Sequence, residues 1–570
     1  MLYPRSSLIP VVKILILVPA LAFAPVSSHN GASESDGIPV HSLTPPKKRP
    51  QKTTGLRYWM LQVLEECEQV SADCSANPVH DLRVALRRCR SLADGLMAID
   101  PDPNWKAMKK AGKHLFQRLG ELRDIQIMME WIERLERTHL DVERAPTLVW
   151  PAGEQNFASA AESFEERIDL AAESLVNILQ ARESEQKHEA RAALEEFDRK
   201  QWRQWSKSLP ARAARFRPDS ALFKHLALER WTEARALHTR ALRNRSKTAL
   251  HSLRIGIKRF RYIAENFLPE EHKLWSNDLK ELQDLLGEVH DLDVLWSTAI
   301  ACKVFPDADS RRRWHANILA ERSKRIDRYR KKMVGPDSLW QTWRAALPQG
   351  KQVQALATRR MKLWANRLDP DFPHSERVAS LSLQLYDGLL ASGWQPSIDA
   401  ISARSSLLAA ALLHDVGRSE GEKGHHKTSF NLIRAHGNPL GWKAADLQRA
   451  AVVARFHRGI LPTRRHKSLR NLLPNEQKAA LQLAAILRLA NALDARHDGH
   501  IQRIKIESNG RSMTKNEALV IEAEGYSPLA PSAQAIAAER HLLEMVLRRA
   551  VVLKAIKSNR KPPNQAVAFE

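Results

Sequence analysis

The sequence predicts a mainly α-helical protein with more than one domain, and three observations support this fold class. Glycine is scarce, with 22 among 570 residues, and Leu, Ala, Arg, Glu and Lys recur at helical spacing. Apolar residues make up 43% and charged residues 27% of the chain, which is typical of a folded protein. The chain is too long for one ordinary core, so we expect separate domains.

The first residues resemble a leader, although imperfectly. Arg5 and Lys13 precede the apolar run Ile14–Ala24, which ends in Ala-Phe-Ala as a signal-peptidase site would. Pro19 interrupts the run and Pro25 would directly follow the cut, which is unfavourable, and the run is short for a bilayer. An exported protein, an anchored one and a start placed too far upstream are the alternatives. The cytoplasm is the expected location, with export as the alternative if the leader is genuine.

Composition divides the remaining chain into two helical domains. Ser, Pro, Lys and Thr are frequent up to residue 55, so residues 1–55 are predicted to form the leader-like segment and a disordered linker. Amphipathic helical patterns fill residues 56–334, punctuated by prolines. A second boundary, near Gly335-Pro336 or Pro348-Gln349-Gly350, precedes a domain over residues 351–558.

The end of the second domain departs from the helical pattern. Ile501–Ile506 and Ala518–Ala523 alternate apolar and polar residues like two short strands, with Asn509-Gly510 between them. A last helix is predicted over about Pro531–Lys557. We therefore expect a helical domain that ends in a small α+β piece.

The charge balance points to an anionic partner. The chain has 89 Lys and Arg against 65 Asp and Glu, which gives a formal net charge of +24. A polyanion, a membrane surface or an acidic substrate would explain such a charge, and a generally basic surface is the plainer alternative. The position of the charges along the chain has to decide between them.

An internal repeat concentrates basic residues in the first domain. The block His80–Arg90 recurs without gaps as His251–Arg261, and each copy is followed by a Leu-Gly-x-x-x-Asp block. Positions i, i+3, i+7 and i+10 share one helix face. In the two copies these positions are His80, Arg83, Arg87 and Arg90, and His251, Arg254, Lys258 and Arg261.

The repeated basic face favours a linear chain of closely spaced anions as the ligand. Neighbouring like charges on a helix repel each other, so two matched stripes indicate a bound anion rather than a solvated surface. Arg donates bidentate hydrogen bonds to phosphate oxygens, and Lys and His add single donors. DNA and RNA fit less well, because no exposed aromatic residues for base stacking are interleaved with the charges.

The two repeated blocks resemble the CHAD domain over about residues 56–334. CHAD domains are helical, lined with basic residues and associated with inorganic polyphosphate. The resemblance therefore implies polyphosphate as the partner of a two-repeat helical bundle with a basic channel. The residues implied to line this channel are His80, Arg83, Arg87, Arg88, Arg90, Lys113, His251, Arg254, Lys258, Arg259, Arg261 and Lys280.

The second domain has His and Asp residues at the ends of predicted helices. His414-Asp415 follows the apolar run Leu407–Leu413, with Gly417 as the predicted helix C-cap. A buried His-Asp pair is costly unless it is paired or coordinated. Imidazole with carboxylate suits Mn, Fe, Zn, Ni or Co, and Mg prefers oxygen ligands. We expect a divalent metal ion, whose identity among these the sequence leaves open.

The order of these residues is similar to that of HD phosphohydrolases. That similarity implies one metal ion held by His374, His414, Asp415 and Asp494, and a second held by His426 and His457 and bridged by Asp415. Gly424–Ile433 and Asn438–Trp442 further resemble the C-terminal HD-type domain of the exopolyphosphatase/guanosine-pentaphosphatase family. In that family, actin-like ATPase domains perform the exopolyphosphatase chemistry, and their pattern does not occur in this sequence.

Two hypotheses of different classes follow. In the first, the HD-type domain is a metal-dependent phosphohydrolase for polyphosphate or a phosphorylated nucleotide, with Asp415 at its centre. Lys427, Arg458 and Arg488 would neutralise phosphate oxygens. In the second, both halves only bind, and the protein is a polyphosphate-binding or granule-associated adaptor.

Overall fold

The computed structural model describes residues 55–143, 158–463, 465–507 and 518–556. The predicted leader, nearly all of the linker and the Asn509-Gly510 turn lie outside these residues. The described part is mainly α-helical and ends in a small sheet, which confirms the predicted fold class. None of the helices described is long and apolar enough to span a membrane.

The first domain consists of helices whose ends follow from the sequence. Its helices are α1 Leu56–Ala72, α2 Ala76–Met97, α3 Pro103–Glu143, α4 Ala158–Glu196, α5 Arg199–Ala213, α6 Ala221–Asn244, α7 Lys247–Phe267, α8 Pro269–Cys302, α9 Ala308–Met333 and α10 Leu339–Ala345. Pro103 and Pro269 begin the two longest helices of the repeat, where proline's missing N–H costs nothing. Arg245 and Lys303 end α6 and α8 in the left-handed conformation.

The repeat places α2 and α3 in the first copy against α7 and α8 in the second. α2 packs on α3, α7 packs on α8, and α2 also contacts α7. One apolar core joins both copies: Leu82, Leu86 and Phe260 are fully buried in it. The opposite faces of α2 and α7 therefore remain available for the basic stripes.

The second domain is a helical cluster with a three-stranded sheet. It consists of α11 Lys351–Leu368, α12 Phe372–Ala391, α13 Ala400–Leu413, a 3₁₀ helix Val416–Glu420, α14 His425–His436, α15 Ala444–Arg455, α16 Lys467–Arg470, α17 Pro474–Leu493, β1 Ile504–Ile506, β2 Leu519–Glu524, α18 Ala533–Leu547 and β3 Val551–Ile556. The sheet order is β1-β2-β3, with β1 antiparallel and β3 parallel to β2.

The predicted last helix was wrong at its end. α18 stops at Leu547 because Arg548 adopts a left-handed conformation, with φ of 56°. Val551–Ile556 then forms β3, where Val551 lies beside Leu519 in the parallel register. The β-branched pair Val551-Val552 suits this strand better than a helix.

A buried ionic network joins the two domains. Nη1 of Arg360, on α11, lies 2.8 Å from Oε2 of Glu229 and 2.9 Å from Nδ1 of His225, both on α6. Glu229 accepts a hydrogen bond from the backbone N–H of Leu440 at 2.9 Å, and Nε2 of His225 bonds to the carbonyl of Leu440 at 2.8 Å. The loop after α14 is thereby held against the first domain.

Replacing Arg360 with alanine is expected to destabilise the protein by about 3 kcal/mol, because it leaves the buried Glu229 carboxylate without its cation. The urea midpoint should fall accordingly. Arg404→Ala is the matched control, since Arg404 forms an exposed ion pair with Asp387 that is expected to contribute at most about 1 kcal/mol. Equal midpoints for the two variants would contradict the network's importance.

Candidate basic groove and candidate metal centre

The basic stripes of α2 and α7 converge on one groove. Burial lowers the pKa of Lys258 to about 7, and four nearby guanidinium groups add to this effect. They belong to Arg254 in its own copy and to Arg87, Arg83 and Arg90 in the other. Lys258 of the second copy therefore lies within electrostatic reach of three arginines of the first.

Aromatic and backbone groups contact two arginines of the first copy. Arg83 donates to the carbonyl of Phe116 at 3.1 Å, and the guanidinium groups of Arg83 and Arg90 lie 4.3 and 4.9 Å from the Phe116 ring centre. The buried Nε atoms of Arg87, Arg90 and Arg254 have no hydrogen-bond partner within the described structure. Their donors are available to an anion.

Several acids lie near the groove. Asp124 and Asp291 interact electrostatically with Arg254. Glu265 forms an ion pair with Arg88 and lies 3.9 Å from Nε of Arg261. These two arginines are thus partly neutralised, whereas in the described structure no carboxylate forms an ion pair with Arg87, Arg254 or Lys258. The strongest anion-binding positions are therefore the central ones.

The repeated glycines have a steric role. A Cβ at Gly120 would lie 3.2 Å from Nη1 of Arg83, and one at Gly287 would lie 3.9 Å from Nε of Arg254. A side chain at Gly120 would crowd Arg83, whereas one at Gly287 would only reach ordinary contact with Arg254. The Leu-Gly pattern thus lies beside the same arginine in both copies.

The remaining predicted groove residues lie nearer the solvent. His80, Lys113, His251, Arg259 and Lys280 are exposed. Sequence reasoning missed two residues that occupy equivalent positions in the Leu-Gly blocks.

These missed residues are Arg123 and His290. Arg123 lies close enough to lower the pKa of His80, after the effect of burial. The ring of His290 lies 4.8 Å from that of His251, and burial and Arg254 lower the pKa of His290 to about 4. Both residues stand three positions after the glycine of their Leu-Gly block, and this match was a signal that could have identified them.

In the second domain, three imidazoles converge on Asp415. Nε2 of His425, His457 and His414 lie 3.2, 3.4 and 3.6 Å from Oδ1 of Asp415. Each of the three Nδ1 atoms lies 2.7–2.9 Å from a backbone carbonyl oxygen. Because a carbonyl only accepts, each Nδ1 is protonated, so the neutral rings of His414 and His457 present an Nε2 lone pair. Nε2 of His425 lies within hydrogen-bond distance of Asp415, which raises the pKa of His425.

Such an arrangement of lone pairs requires a positive charge among them. Nε2 of His425 and Nε2 of His457 lie 3.2 Å apart, and the buried Nε2 of His414 and Oδ1 of Asp415 lack a well-formed hydrogen bond in the described structure. Two overlapping ligand groups result, His374–His414–Asp415 and Asp415–His425–His457, each with its donor atoms within 4.8 Å of one another. A divalent ion fits this donor set.

The protonation states agree with this donor set. Burial raises the pKa of Asp415, but the nearby imidazoles, His414 first, outweigh it and hold that pKa well below its usual range. Burial also lowers the pKa of His414 and of His457. Asp415 is therefore ionised and both histidines are neutral near pH 7, as metal ligands must be.

The structure places Asp494 behind His374 rather than in either ligand group. Its Oδ2 lies 2.7 Å from Nδ1 of His374 and 2.9 Å from Nε of Arg377, and its Oδ1 accepts from the N–H of Gly499 at 3.0 Å. Asp494 thus orients His374 through Nδ1, and Nε2 of His374 lies 3.0 Å from Oδ1 of Asn491. Direct ligation by Asp494 stays a prediction.

His425, and not His426, faces Asp415. The buried stripe of α14 is His425, Ser429 and Ile433, spaced by four residues, whereas His426 is partly exposed with its ring 6.5 Å from that of His457. Gly417 is likewise not a C-cap: it lies in the 3₁₀ helix, where a Cβ would overlap the backbone of His425 and Ser429. This close approach lets α14 bring His425 to the site.

Arg488 is committed to structure and not to substrate. It is buried, donates to both oxygens of Glu539, and also donates to the carbonyls of Phe456 at 3.1 Å and Gly459 at 3.0 Å. Four of its five N–H donors are engaged within the protein, so the geometry does not support its predicted catalytic role. It fixes the segment that contains His457.

The other predicted cations remain near the site. Lys427 and Arg458 are exposed, and both contribute to lowering the pKa of His426, after burial, Arg455 and His425. Arg418, which sequence reasoning missed, donates to Oδ2 of Asp415 at 3.3 Å and to Glu422 at 2.6 Å. It is the cation that directly contacts the centre.

Comparison with known families assigns both halves. Residues 60–299 match the CHAD domain, and residues 358–549 match the Ppx/GppA phosphatase domain III. This chain has a CHAD domain followed by a Ppx/GppA-type domain III. The basic groove lies in the CHAD domain, and the ligand groups around Asp415 lie in domain III.

A solved structure is also similar to the CHAD domain in part. The crystal structure of the CHAD domain from the plant Ricinus communis has 19% sequence identity and a TM-score of 0.31, covering 51% of this chain and 90% of that chain. Comparison with curated proteins found no match.

Proposed function

We propose that this protein binds inorganic polyphosphate in the groove of its CHAD domain and hydrolyses a phosphoanhydride or phosphoester at a metal centre in its domain III. The observation that supports catalysis best is the convergence of three imidazole Nε2 atoms on Oδ1 of Asp415, where Nε2 of His414 and Oδ1 of Asp415 are buried without a well-formed hydrogen bond in the described structure. A purely structural histidine cluster would pair these buried atoms. The family match is to domain III, and in that family the actin-like ATPase domains perform the exopolyphosphatase chemistry, so the ligand groups support catalysis more than the match does.

Two positions for divalent ions are proposed, sharing Asp415. His374 and His414 would complete one, and His425 and His457 the other. A divalent ion held there would supply the Lewis acidity that activates water and polarises a phosphoryl group. The shared carboxylate stays ionised because the imidazoles hold its pKa low, and the backbone carbonyls hold the rings in place.

Other side chains of domain III would orient the substrate. Arg418 contacts Asp415 and has an exposed neighbour, Glu422, as its second partner, so its guanidinium can turn toward a phosphate oxygen. Arg458 is exposed and directly follows His457 in sequence, so it adds positive charge beside the proposed metal centre. These cations would offset charge that develops on the non-bridging oxygens.

Polyphosphate is the proposed ligand of the CHAD groove because the groove's central donors are unpaired and arranged in two lines. The Nε atoms of Arg87, Arg90 and Arg254 are buried without partners in the described structure. A chain of phosphates would satisfy both stripes at once, whereas an isolated anion would satisfy one. Phosphorylated nucleotides are the second class of substrate proposed for domain III.

A non-catalytic adaptor is the competing function. In that case both domains would bind polyphosphate, the protein could associate with polyphosphate granules, and no turnover would occur. The unpaired arginines fit this alternative as well as they fit the enzyme. The ligand groups around Asp415 favour the enzyme, since binding alone does not need them.

Elemental analysis of the purified protein, combined with a phosphate-release screen, tests the proposal. We expect Mn, Fe, Zn, Ni, Co or Mg to be present at up to two ions per chain, and phosphate release from polyphosphate, dinucleotides or (p)ppGpp-like nucleotides. Treatment with a chelator should abolish release, and metal should restore it. Release that persists without metal, or no release with metal bound, would exclude the proposed enzyme.

A further inference from the structure

A second cluster of cations surrounds an open cavity of about 430 Å³ in domain III. Its long wall is one face of α14, where Lys427, Phe430, Asn431 and Arg434 lie at helical spacing. The other walls are Arg455, at the end of α15, and a short segment. The residues of that segment are His466, Lys467, Ser468 and Asn471.

This cavity is positive and lacks acidic residues. Lys427, Arg434, Arg455 and Lys467 contribute four positive charges to its lining, and no acidic residue lines it. None of these four forms an ion pair or hydrogen bond with another residue in the part of the chain that the structure describes. By contrast, the buried arginines of the same domain, Arg449 among them, are each paired.

Two further polar groups are available at the cavity. Oγ of Ser468 is buried and has no hydrogen-bond partner in the described structure. Nδ1 of His466 accepts from the backbone N–H of Thr463 at 3.0 Å, which leaves its Nε2–H as a donor. Donors thus accompany the charges, as recognition of phosphate oxygens requires.

The cavity adjoins the proposed metal centre through shared segments. Lys427 lies two residues after His425, and Arg455 lies two residues before His457, so both walls begin beside a candidate ligand. The partly exposed His426 lies between, close to Arg455 and Lys427. A chain molecule could reach from this cavity toward Asp415.

The aromatic residue of the cavity does not favour a nucleobase. The guanidinium groups of Arg434 and Arg455 lie 5.3 and 5.9 Å from the ring centre of Phe430. A base that stacked on this ring would have to displace these cations. Phe430 thus holds two cations in place for an anion.

From this geometry we infer that the cavity is an anion site for a linear phosphoanhydride, and that it binds the phosphates of the substrate beyond the bond that is cleaved. The inference rests on the proposed function for its connection to catalysis, but anion binding itself does not require the metal. The site would hold a run of about three phosphates. Its donors are Lys427, Arg434, Arg455 and Lys467.

Binding of tripolyphosphate, measured by calorimetry in the presence of a chelator, tests this site separately from turnover. The full chain is used with Arg87→Glu and Lys258→Glu in the CHAD groove, so that the first domain does not bind the probe. We expect Lys427→Gln combined with Arg434→Gln to weaken binding about 30-fold, since two charge-assisted contacts are lost. Arg470→Gln, an exposed arginine of α16 outside the cavity, is the matched control and should change binding less than twofold.

Each outcome decides the inference. No tripolyphosphate binding by the background protein, or equal binding by the cavity variant and the control, would overturn it. ATP should bind within about threefold of tripolyphosphate, and much tighter binding of ATP would overturn the ligand class. Lys427 and Arg434 are exposed, so both variants should fold, and circular dichroism checks this. Failure of phosphate release alone would leave the anion site standing and reject only the enzyme.

Discussion

Asp415→Asn is expected to reduce metal-dependent phosphate release by about 1000-fold, which corresponds to about 4 kcal/mol of transition-state stabilisation. Asp415 belongs to both proposed ligand groups, so its replacement weakens two ion positions at once. An amide keeps the shape but loses the charge that three imidazoles surround. Steady-state kinetics and the metal content of the purified variant are the two measurements.

Asp387→Asn is the control for this variant, because Asp387 is exposed and pairs with Arg404 in the same domain. It should keep both metal and activity. Activity of Asp415→Asn close to that of the original protein would mean that hydrolysis occurs elsewhere or not at all. Metal content should also fall as the pH drops toward 6.5, because the Asp415 carboxylate raises the pKa of His425 above that ordinary value and a proton then competes with the ion.

Combining Arg87→Glu with Lys258→Glu is expected to weaken polyphosphate binding by about 100-fold or more. The two residues occupy the same position in the two copies, and Arg87 is among the cations that lower the pKa of Lys258. Reversal in both copies therefore places negative charge at the centre of the groove. Retention on immobilised polyphosphate at several salt concentrations measures the loss.

A matched pair of reversals controls for net charge. Arg240→Glu with Lys331→Glu changes the charge equally at exposed positions of α6 and α9, and retention should change little. Lys258→Arg gives a second check, because Lys258, with its pKa near 7, loses its charge as pH rises. The arginine variant should bind more tightly than the original protein at pH 8.5 and equally at pH 6. Unchanged retention of the double reversal would reject the groove.

Helical periodicity predicted that the basic residues of α2 and α7 share one face of each helix, because a stripe on a regular helix depends only on local geometry. The same logic correctly placed His414, Asp415 and His457 at helix ends. It assigned His426 rather than His425 to the site, since the correct choice depends on which face of α14 packs inward. The spacing of His425, Ser429 and Ile433 was the available signal.

Other features depended on partners distant in sequence. Arg488 is engaged by Glu539 and by carbonyls of the segment before α16, and no local pattern indicates such contacts. The contacts of Asp494 with Arg377 and Gly499 are likewise distant or outside any helical pattern, so the sequence did not indicate them. β3 was missed because the whole of α18 separates it in sequence from its partner strand β2.

The contact between Arg360 and Glu229 has a practical consequence for anyone who expresses the halves separately. Cutting the chain near residue 350 would leave Glu229 and His225 without their partner on one fragment. On the other fragment, the guanidinium of Arg360 would lose its carboxylate. Each fragment would then expose a charged, aggregation-prone surface. The loop that contains Leu440 would lose its contacts with Glu229 and His225. Weak activity or aggregation of an isolated half would therefore reflect the cut itself and should not be taken as a property of the intact molecule.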